Sequence, residues 1–190
     1  MAIDTPYFLS SYEDYAALAD AERYEVLDGE LVEMSPSPTR RHQYVAQEIF
    51  SALRAYGRAH GAGEAYMAPL DVVLHAPRPA TVLQPDVLFV TRPHADRLTD
   101  ANVQGPPDLV VEVLSPGRAR VDSIRKLALY ARFGVPEVWF VPADANRVDV
   151  LTLGESGHYG APRSYEAGGV LQSSLLPGFQ VEVATLFPPA

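Results

Sequence analysis

The segment Leu109-Val-Val-Glu-Val-Leu114 is an almost unbroken apolar run, and it restricts the fold more than any other part of the chain. A strand that is apolar on both faces is typical of the centre of a sheet covered on both sides. A helix is predicted over residues 121–133, and its expected packing side contains Ile124, Leu127, Ala128 and Ala131. Because a strand is predicted at 137–141, we expect a parallel βαβ unit with a right-handed crossover. This order predicts an α/β protein with a mixed sheet.

One carboxylate, Glu112, interrupts the apolar run. A buried carboxylate is costly unless it is paired or binds a metal, so Glu112 is either a metal ligand or the partner of an arginine such as Arg125. Asp108 lies about 13 Å away along the same strand, too far to share an ion whose oxygen ligands lie at ~2.0–2.1 Å. Asp86 is on the preceding strand, and neighbouring strands are only ~4.8 Å apart. We therefore predict that Asp86 and Glu112 are the metal pair. The alternative role for Asp86 is that of a turn or strand-start residue after proline. Asp108 is expected to begin its strand or to bond nearby backbone.

Lys126 is the only lysine of the chain, in which the other fourteen Lys or Arg residues are arginine. It lies four residues after Asp122, on the same face of the predicted helix. Taken alone, this spacing also fits a weak surface ion pair, with Asp122 as a helix cap. The helix follows the Glu112 strand, however, so its first turns can lie over the carboxyl end of that strand. A carboxylate beside an ammonium group is typical of a metal-dependent phosphodiesterase.

Other segments predict the elements around this unit. Asp28-Gly29 is a strong hairpin turn, since both positions accept a positive φ, and it joins two strands within residues 24–34. Ser10 and Glu13 predict a capping box for a short helix, and Thr39 is a predicted cap for a helix over about 41–60. Further strands are predicted at 66–74, 83–90, 148–153, 159–165, 170–176 and 179–183, with a long loop at 91–107.

Composition limits the classes of protein to which the chain can belong. With 190 residues and no cysteine, we expect one domain over 1–190, without disulfides and in a cytoplasmic setting. No apolar run is long enough to cross a bilayer, so no membrane contact is expected. The net charge of −9 disfavours a broad electrostatic grip on nucleic acid. Five arginines form either a local basic rim near the site or scattered surface charge: Arg40, Arg41, Arg118, Arg120 and Arg125.

An ordered set of segments within residues 22–142 resembles a known group of nucleases. The set comprises Tyr24-Glu-Val-Leu-Asp-Gly-Glu-Leu-Val-Glu-Met-Ser-Pro, His42, Gln84-Pro-Asp-Val, Pro107-Asp-Leu-Val-Val-Glu-Val-Leu-Ser-Pro, Asp122-x-x-x-Lys126 and Tyr130-x-x-x-Gly-Val-Pro-Glu-Val-Trp139. Together they resemble the PD-(D/E)XK nuclease superfamily and, more closely, the Uma-type endonuclease family, a former domain of unknown function. The superfamily's usual lysine position, two residues after the acid, is Leu114 here. Lys126, which lies on the following predicted helix, would therefore supply the ammonium group in place of that lysine.

The resemblance implies a restriction-endonuclease-like core over about 22–142, with an N-terminal β-hairpin and a mainly β extension over 143–190. It implies Mg²⁺ (or Mn²⁺) held by Asp86, Glu112 and the carbonyl of Val113. The ion would polarise the scissile phosphate and bind the attacking water. Lys126 would orient or help to deprotonate that water and stabilise charge on the phosphate.

Three further residues receive roles from the same resemblance. Asp122 would position Lys126. His42, at a helix start, could approach the phosphate or be a surface histidine. Glu48, on the same helix as His42, is an additional candidate acid.

The expected function is hydrolysis of DNA phosphodiester bonds by a metal-dependent endonuclease. Two alternatives stay open. One is a binding or assembly module with a nuclease fold but little or no turnover, and the other is a metal-dependent hydrolase of another phosphate ester. The mainly β tail offers Tyr159, Tyr165 and Phe179 as apolar surface for a partner, so a homodimer is predicted.

Overall fold

A computed structural model describes residues 11–18, 24–34, 38–114 and 119–189. The α-helices are α1 (Tyr12–Ala16), α2 (Arg40–His60) and α3 (Ala119–Phe133). The strands are β1 (Tyr24–Leu27), β2 (Glu30–Glu33), β3 (Gly63–Met67), β4 (Val72–His75), β5 (Thr81–Leu83), β6 (Val87–Thr91), β7 (Val103–Gln104), β8 (Leu109–Leu114), β9 (Glu137–Pro142), β10 (Arg147–Thr152), β11 (Arg163–Glu166), β12 (Val170–Gln172) and β13 (Gln180–Glu182).

Six strands form a central sheet in the order β11-β10-β9-β8-β6-β3. Strands β8 and β9 are parallel, with Val111 opposite Trp139, and α3 connects them, which confirms the predicted βαβ unit. The other pairs of the central sheet are antiparallel. A second sheet, here called the hairpin sheet, has the order β2-β1-β5-β4-β7, and β12 pairs with β13.

The two faces of β8 are covered by different layers, because successive side chains of a strand point to opposite faces. Val111 packs in one cluster with Ile49 of α2. Val110 packs in another with Leu27 of the hairpin sheet and Tyr130 of α3. Glu112 shares the face of Val110, so it points between α3 and the hairpin sheet.

Two predicted strands, at 66–74 and 83–90, are wrong in extent. The first covers the end of β3 and most of β4, and the second covers the last residue of β5 and most of β6. In both cases the two parts belong to different sheets. Pro69 and Pro85 lie at the breaks, and proline has no N–H with which to continue a ladder. The chain therefore changes sheet at each of these prolines.

Local turn and cap signals give a mixed outcome. The hairpin turn is confirmed, with φ of 53° at Asp28 and 83° at Gly29. Thr39 caps α2, since its hydroxyl accepts a bond from the His42 N–H at 3.2 Å. The capping box of α1 is formed by Ser11 and Asp14 rather than by the predicted residues, of which Ser10 lies outside the described part of the chain.

The predicted loop at 91–107 is more ordered than its composition suggests. It contains a 3-10 helix, Arg92–Arg97, and β7, which pairs in parallel with β4. The four predicted strands of the tail are present as β10 to β13, with shifted or shorter bounds.

The tail does not expose the apolar side chains on which the homodimer prediction was based. Tyr165 and Phe179 are buried in the core of the same chain. The hydroxyl of the half-buried Tyr159 donates to the carbonyl of Val135 at 2.7 Å. That surface is therefore absent, and the homodimer itself stays a prediction. Among the described residues, no helix has both the length and the apolar character needed to span a membrane.

Candidate active site

Glu112 lies on β8, and Asp86 immediately precedes β6, the neighbouring strand of the central sheet. The antiparallel register pairs Val87 with Val111, so continuing it by one residue brings Asp86 opposite Glu112. The N–H of Val113 donates to Asp86 Oδ2 at 2.7 Å and holds this carboxylate beside β8. The structure thus brings together the two acids selected from strand spacing, and their role as metal ligands stays a prediction.

The carboxylate of Glu112 is buried and has two side-chain donors. The Tyr130 hydroxyl donates to Glu112 Oε1 at 2.6 Å. Lys126 Nζ lies 3.3 Å from Glu112 Oε2. Burial raises the pKa of Glu112 to about 7, although the charge of Lys126 acts to lower it. The alternative partner Arg125 is excluded, because its guanidinium pairs with Glu30 at 2.6 Å.

The lone lysine binds a second acid more closely than it binds Glu112. Lys126 Nζ is 2.8 Å from Oε1 of Glu25, and the two side chains are 12% and 6% exposed. Burial acts to lower the pKa of Lys126, but the charges of Glu112 and Glu25 outweigh it and hold that pKa above the usual range of lysine. The ammonium group is therefore charged at neutral pH.

Glu25 is a site residue that the sequence analysis missed. It lies in β1 and also accepts a hydrogen bond from the N–H of Gln84 at 2.8 Å. Gln84 is two residues before Asp86, so the same short segment connects the hairpin sheet to the predicted metal pair. A signal was present in the sequence, because Glu25 shares a strand face with the apolar Leu27, and a residue on that face points inward.

The predicted packing side of α3 is partly wrong. Ile124 is 63% exposed and Ala128 is exposed as well, whereas Tyr130 is fully buried. Lys126 and Tyr130 are four residues apart, which places them on one face of the helix, and both reach Glu112. The buried face of this helix thus carries polar groups that serve the site, and for this reason a search for apolar periodicity did not find it.

His42 is buried rather than a surface residue. Its Nε2 lies 3.4 Å from Asp86 Oδ1. Its Nδ1 is buried and has no hydrogen-bond partner among the described residues. Burial acts to lower the pKa of His42, but the hydrogen bond and charge of Asp86, together with the backbone of Val113, raise it above its ordinary value. His42 thus connects the start of α2 to the predicted metal pair.

Three other residues considered in the sequence analysis have no described contact with Asp86 or Glu112. The side chain of Asp122 lies outside the part of the chain that the structure describes. Glu48 is half-buried on α2. Asp108 bonds nearby backbone as predicted, since its Oδ2 accepts from the N–H of Thr91 at 2.7 Å, and its Oδ1 lies 2.7 Å from His94 Nδ1.

The chemistry of this acid–lysine cluster, formed by Glu25, Asp86, Glu112 and Lys126, fits a divalent cation. Two carboxylates contact a single ammonium group, and the pKa of Glu112 is raised first by burial and then by the charges of Asp86 and Glu25. Carboxylate and carbonyl oxygens are the ligands that Mg²⁺ prefers. Within the described residues, no three His, Asp or Glu side chains already converge as ligands. A metal would therefore depend on the acid pair together with backbone and water.

Comparison with known proteins agrees with this architecture. A family model described as "Uma2: Putative restriction endonuclease" matches residues 10–184. The chain belongs to the Uma2 family. This confirms the resemblance seen in the ordered motifs, from the Tyr24 segment to Trp139.

One solved structure is similar over almost its whole length. It is described as a putative nuclease belonging to DUF820 from Anabaena variabilis ATCC 29413. It is 16% identical, with a TM-score of 0.75, and the match covers 93% of this Uma2 chain and 97% of that chain. At this identity the similarity concerns the fold, and the predicted restriction-endonuclease-like α/β fold is confirmed. Among curated proteins, none matches the chain.

Proposed function

We propose that this chain is a metal-dependent endonuclease that hydrolyses DNA phosphodiester bonds. The observation that carries the proposal is the position of the lone lysine. Leu114 occupies the place where the superfamily usually has lysine, yet Lys126 Nζ reaches Glu112 at 3.3 Å from the following helix. An ammonium group is thus supplied beside the acid from another point of the backbone.

The proposed cofactor is Mg²⁺ or Mn²⁺, held by Asp86, Glu112 and the carbonyl of Val113. When bound, it would polarise the scissile phosphate and lower the pKa of the attacking water. Asp86 is held for this role by the Val113 N–H, at 2.7 Å, and by His42 on its other oxygen. Glu112 is oriented by the Tyr130 hydroxyl at 2.6 Å.

Lys126 acts in this proposal as a fixed positive charge and not as a proton acceptor. Its raised pKa keeps the ammonium group protonated, so the group can donate hydrogen bonds to the attacking water or to a phosphate oxygen. Glu25 holds the ammonium group at 2.8 Å and prevents it from turning into solvent. Glu25 is therefore a positioning residue for Lys126.

The test is nicking of supercoiled plasmid DNA with Mg²⁺, with Mn²⁺ or with EDTA. Wild type is expected to nick only with metal, and Lys126→Met to be slower by about 10²–10³, the usual loss when one preorganised donor is removed. Arg58→Met, an exposed cation at the far end of α2, is the matched control and should equal wild type. Circular dichroism checks that each variant is folded. Glu112→Gln provides a second test if Lys126→Met does not fold.

Equal nicking by Lys126→Met and wild type would refute the role of the lysine. If wild type binds Mg²⁺ in a calorimetric titration but cleaves neither DNA nor RNA, a screen of other phosphate esters addresses the second alternative. Absence of both metal binding and cleavage would favour the binding module. Sedimentation at micromolar concentration decides the homodimer, because a monomer would contradict it.

A further inference from the structure

A cavity of about 450 Å³ opens beside the start of α2. It is lined by Arg40, Arg41, Tyr44, Pro188 and Pro189. Cavities that bind small ligands commonly have volumes of ~300–1,000 Å³. None of these five residues belongs to the acid–lysine cluster. The cavity is nevertheless close to it in the chain, because His42, the residue after Arg41, lies 3.4 Å from Asp86.

The two arginines of the cavity are held differently. Arg41 is anchored, since its Nε donates to the carbonyl of Ala143 at 3.0 Å and its guanidinium also bonds Asn146. Arg40 is exposed, and no hydrogen bond or ion pair joins it to another described residue. One guanidinium is thus fixed to the protein, while the other is available to bind an anion.

The other lining residues favour a flat, partly apolar group beside that anion. Tyr44 lies four residues after Arg40, on the same side of α2, and contributes an aromatic ring. Pro188 and Pro189 contribute apolar surface to the same cavity. A phosphate beside a planar ring is the chemistry of a nucleotide, since guanidinium groups bind phosphate and bases stack on tyrosine.

We propose that this cavity is a subsite for a nucleotide that flanks the scissile phosphate in a single strand of the bound nucleic acid. Arg40 would bind its phosphate, and Tyr44 would stack against its base. The inference rests on the proposed function for the identity of the substrate. It also explains how a chain with a net charge of −9 could hold a polyanion, through a local cation rather than a broad basic face.

Fluorescence anisotropy with a short fluorescein-labelled single-stranded DNA tests the subsite. The titrations are made in Ca²⁺ and repeated in EDTA, over a series of salt concentrations. Arg40→Ala is expected to weaken binding about tenfold and to reduce the slope of log K against log salt by about 0.7. Tyr44→Ala is expected to weaken binding at least about fivefold without changing the slope, because the ring carries no charge.

Arg58→Ala is the matched control, because it removes the same charge from the other end of the same helix. It should leave both the affinity and the slope unchanged. Arg40 is the first residue of α2, where a cation opposes the helix dipole, so Arg40→Ala should not lower the thermal midpoint. A loss of binding in this variant therefore cannot be attributed to unfolding.

The outcomes separate this subsite from the proposed catalysis. If Arg40→Ala and Tyr44→Ala bind DNA as Arg58→Ala does, or if wild type binds no DNA, the subsite is refuted. If the first two variants lose affinity and Arg58→Ala does not, the subsite is supported. That support would hold even if no metal gave cleavage, in which case the proposed function alone would fail.

Discussion

Replacing Glu112 by Gln should remove a loss of stability that the metal-free wild type undergoes as pH rises. Burial raises the pKa of Glu112 from its ordinary value of 4.5 to about 7. Each pKa unit corresponds to about 1.4 kcal/mol, so ionising this carboxyl costs the folded state about 3 kcal/mol. The unfolded chain loses this proton at lower pH than the folded chain. The free energy of unfolding therefore contains the full contribution of the neutral Glu112 below about pH 4.5, and it loses that contribution as pH rises through about 7.

The Tm of the protein in EDTA, measured at a series of pH values from 5 to 8, reports this loss of stability. Gln resembles the neutral acid and can still accept the Tyr130 hydroxyl, so Glu112→Gln and wild type should differ little near pH 5. Near pH 8 the variant should be more stable by about 3 kcal/mol, a rise of roughly 6–12 °C in Tm for a domain of this size. The exposed Glu166→Gln is the matched control and should follow wild type at every pH.

The difference between the two pH profiles removes the titrating groups that do not interact with Glu112. It retains the part of the His42 titration that depends on Glu112, because the charge of Glu112 helps to raise the pKa of His42. Parallel profiles of wild type and Glu112→Gln from pH 5 to pH 8 would refute the reasoning. A divalent cation should offset the loss, since binding at a hundred times Kd stabilises a protein by about 2.7 kcal/mol. We therefore expect Mg²⁺ or Mn²⁺ at pH 8 to raise the Tm of wild type more than that of Glu112→Gln.

Two further predictions concern buried carboxylates. Glu25→Gln keeps an acceptor for the Gln84 N–H but loses the charge beside Lys126. Single-turnover DNA cleavage should therefore slow about 10- to 100-fold, and an unchanged rate would contradict the positioning role of Glu25. Glu137→Ala leaves the Trp139 Nε1–H and the Ser174 N–H without their acceptor, the Glu137 carboxylate, which lies at 2.7 and 2.9 Å in the native protein. Urea denaturation should therefore show that the free energy of unfolding falls by about 3 kcal/mol, and a fall below about 1 kcal/mol would contradict this interpretation.

The two acids of the predicted metal pair could be selected from sequence because strand geometry is local and regular. Residues four apart on one strand are well separated, so residue spacing alone was enough to exclude Asp108 and to choose Asp86. The same approach was insufficient for α3. Apolar periodicity identified Ile124 as a packing residue, although it is 63% exposed, because the face that is buried carries Lys126 and Tyr130. A helix that supplies polar groups to a buried site does not follow the usual apolar pattern.

Sequence alone was sufficient for the features that depend on neighbouring residues: the Asp28-Gly29 turn, the Thr39 cap, the buried strand with its single carboxylate, and the βαβ order around it. Tertiary structure decided which distant groups meet. Glu25 reaches Lys126 because the hairpin sheet that carries Glu25 packs against α3. The physical reason is that turns and caps are set by the dihedral preferences and hydrogen bonds of adjacent residues, whereas the partners of a buried charge depend on which layers pack together.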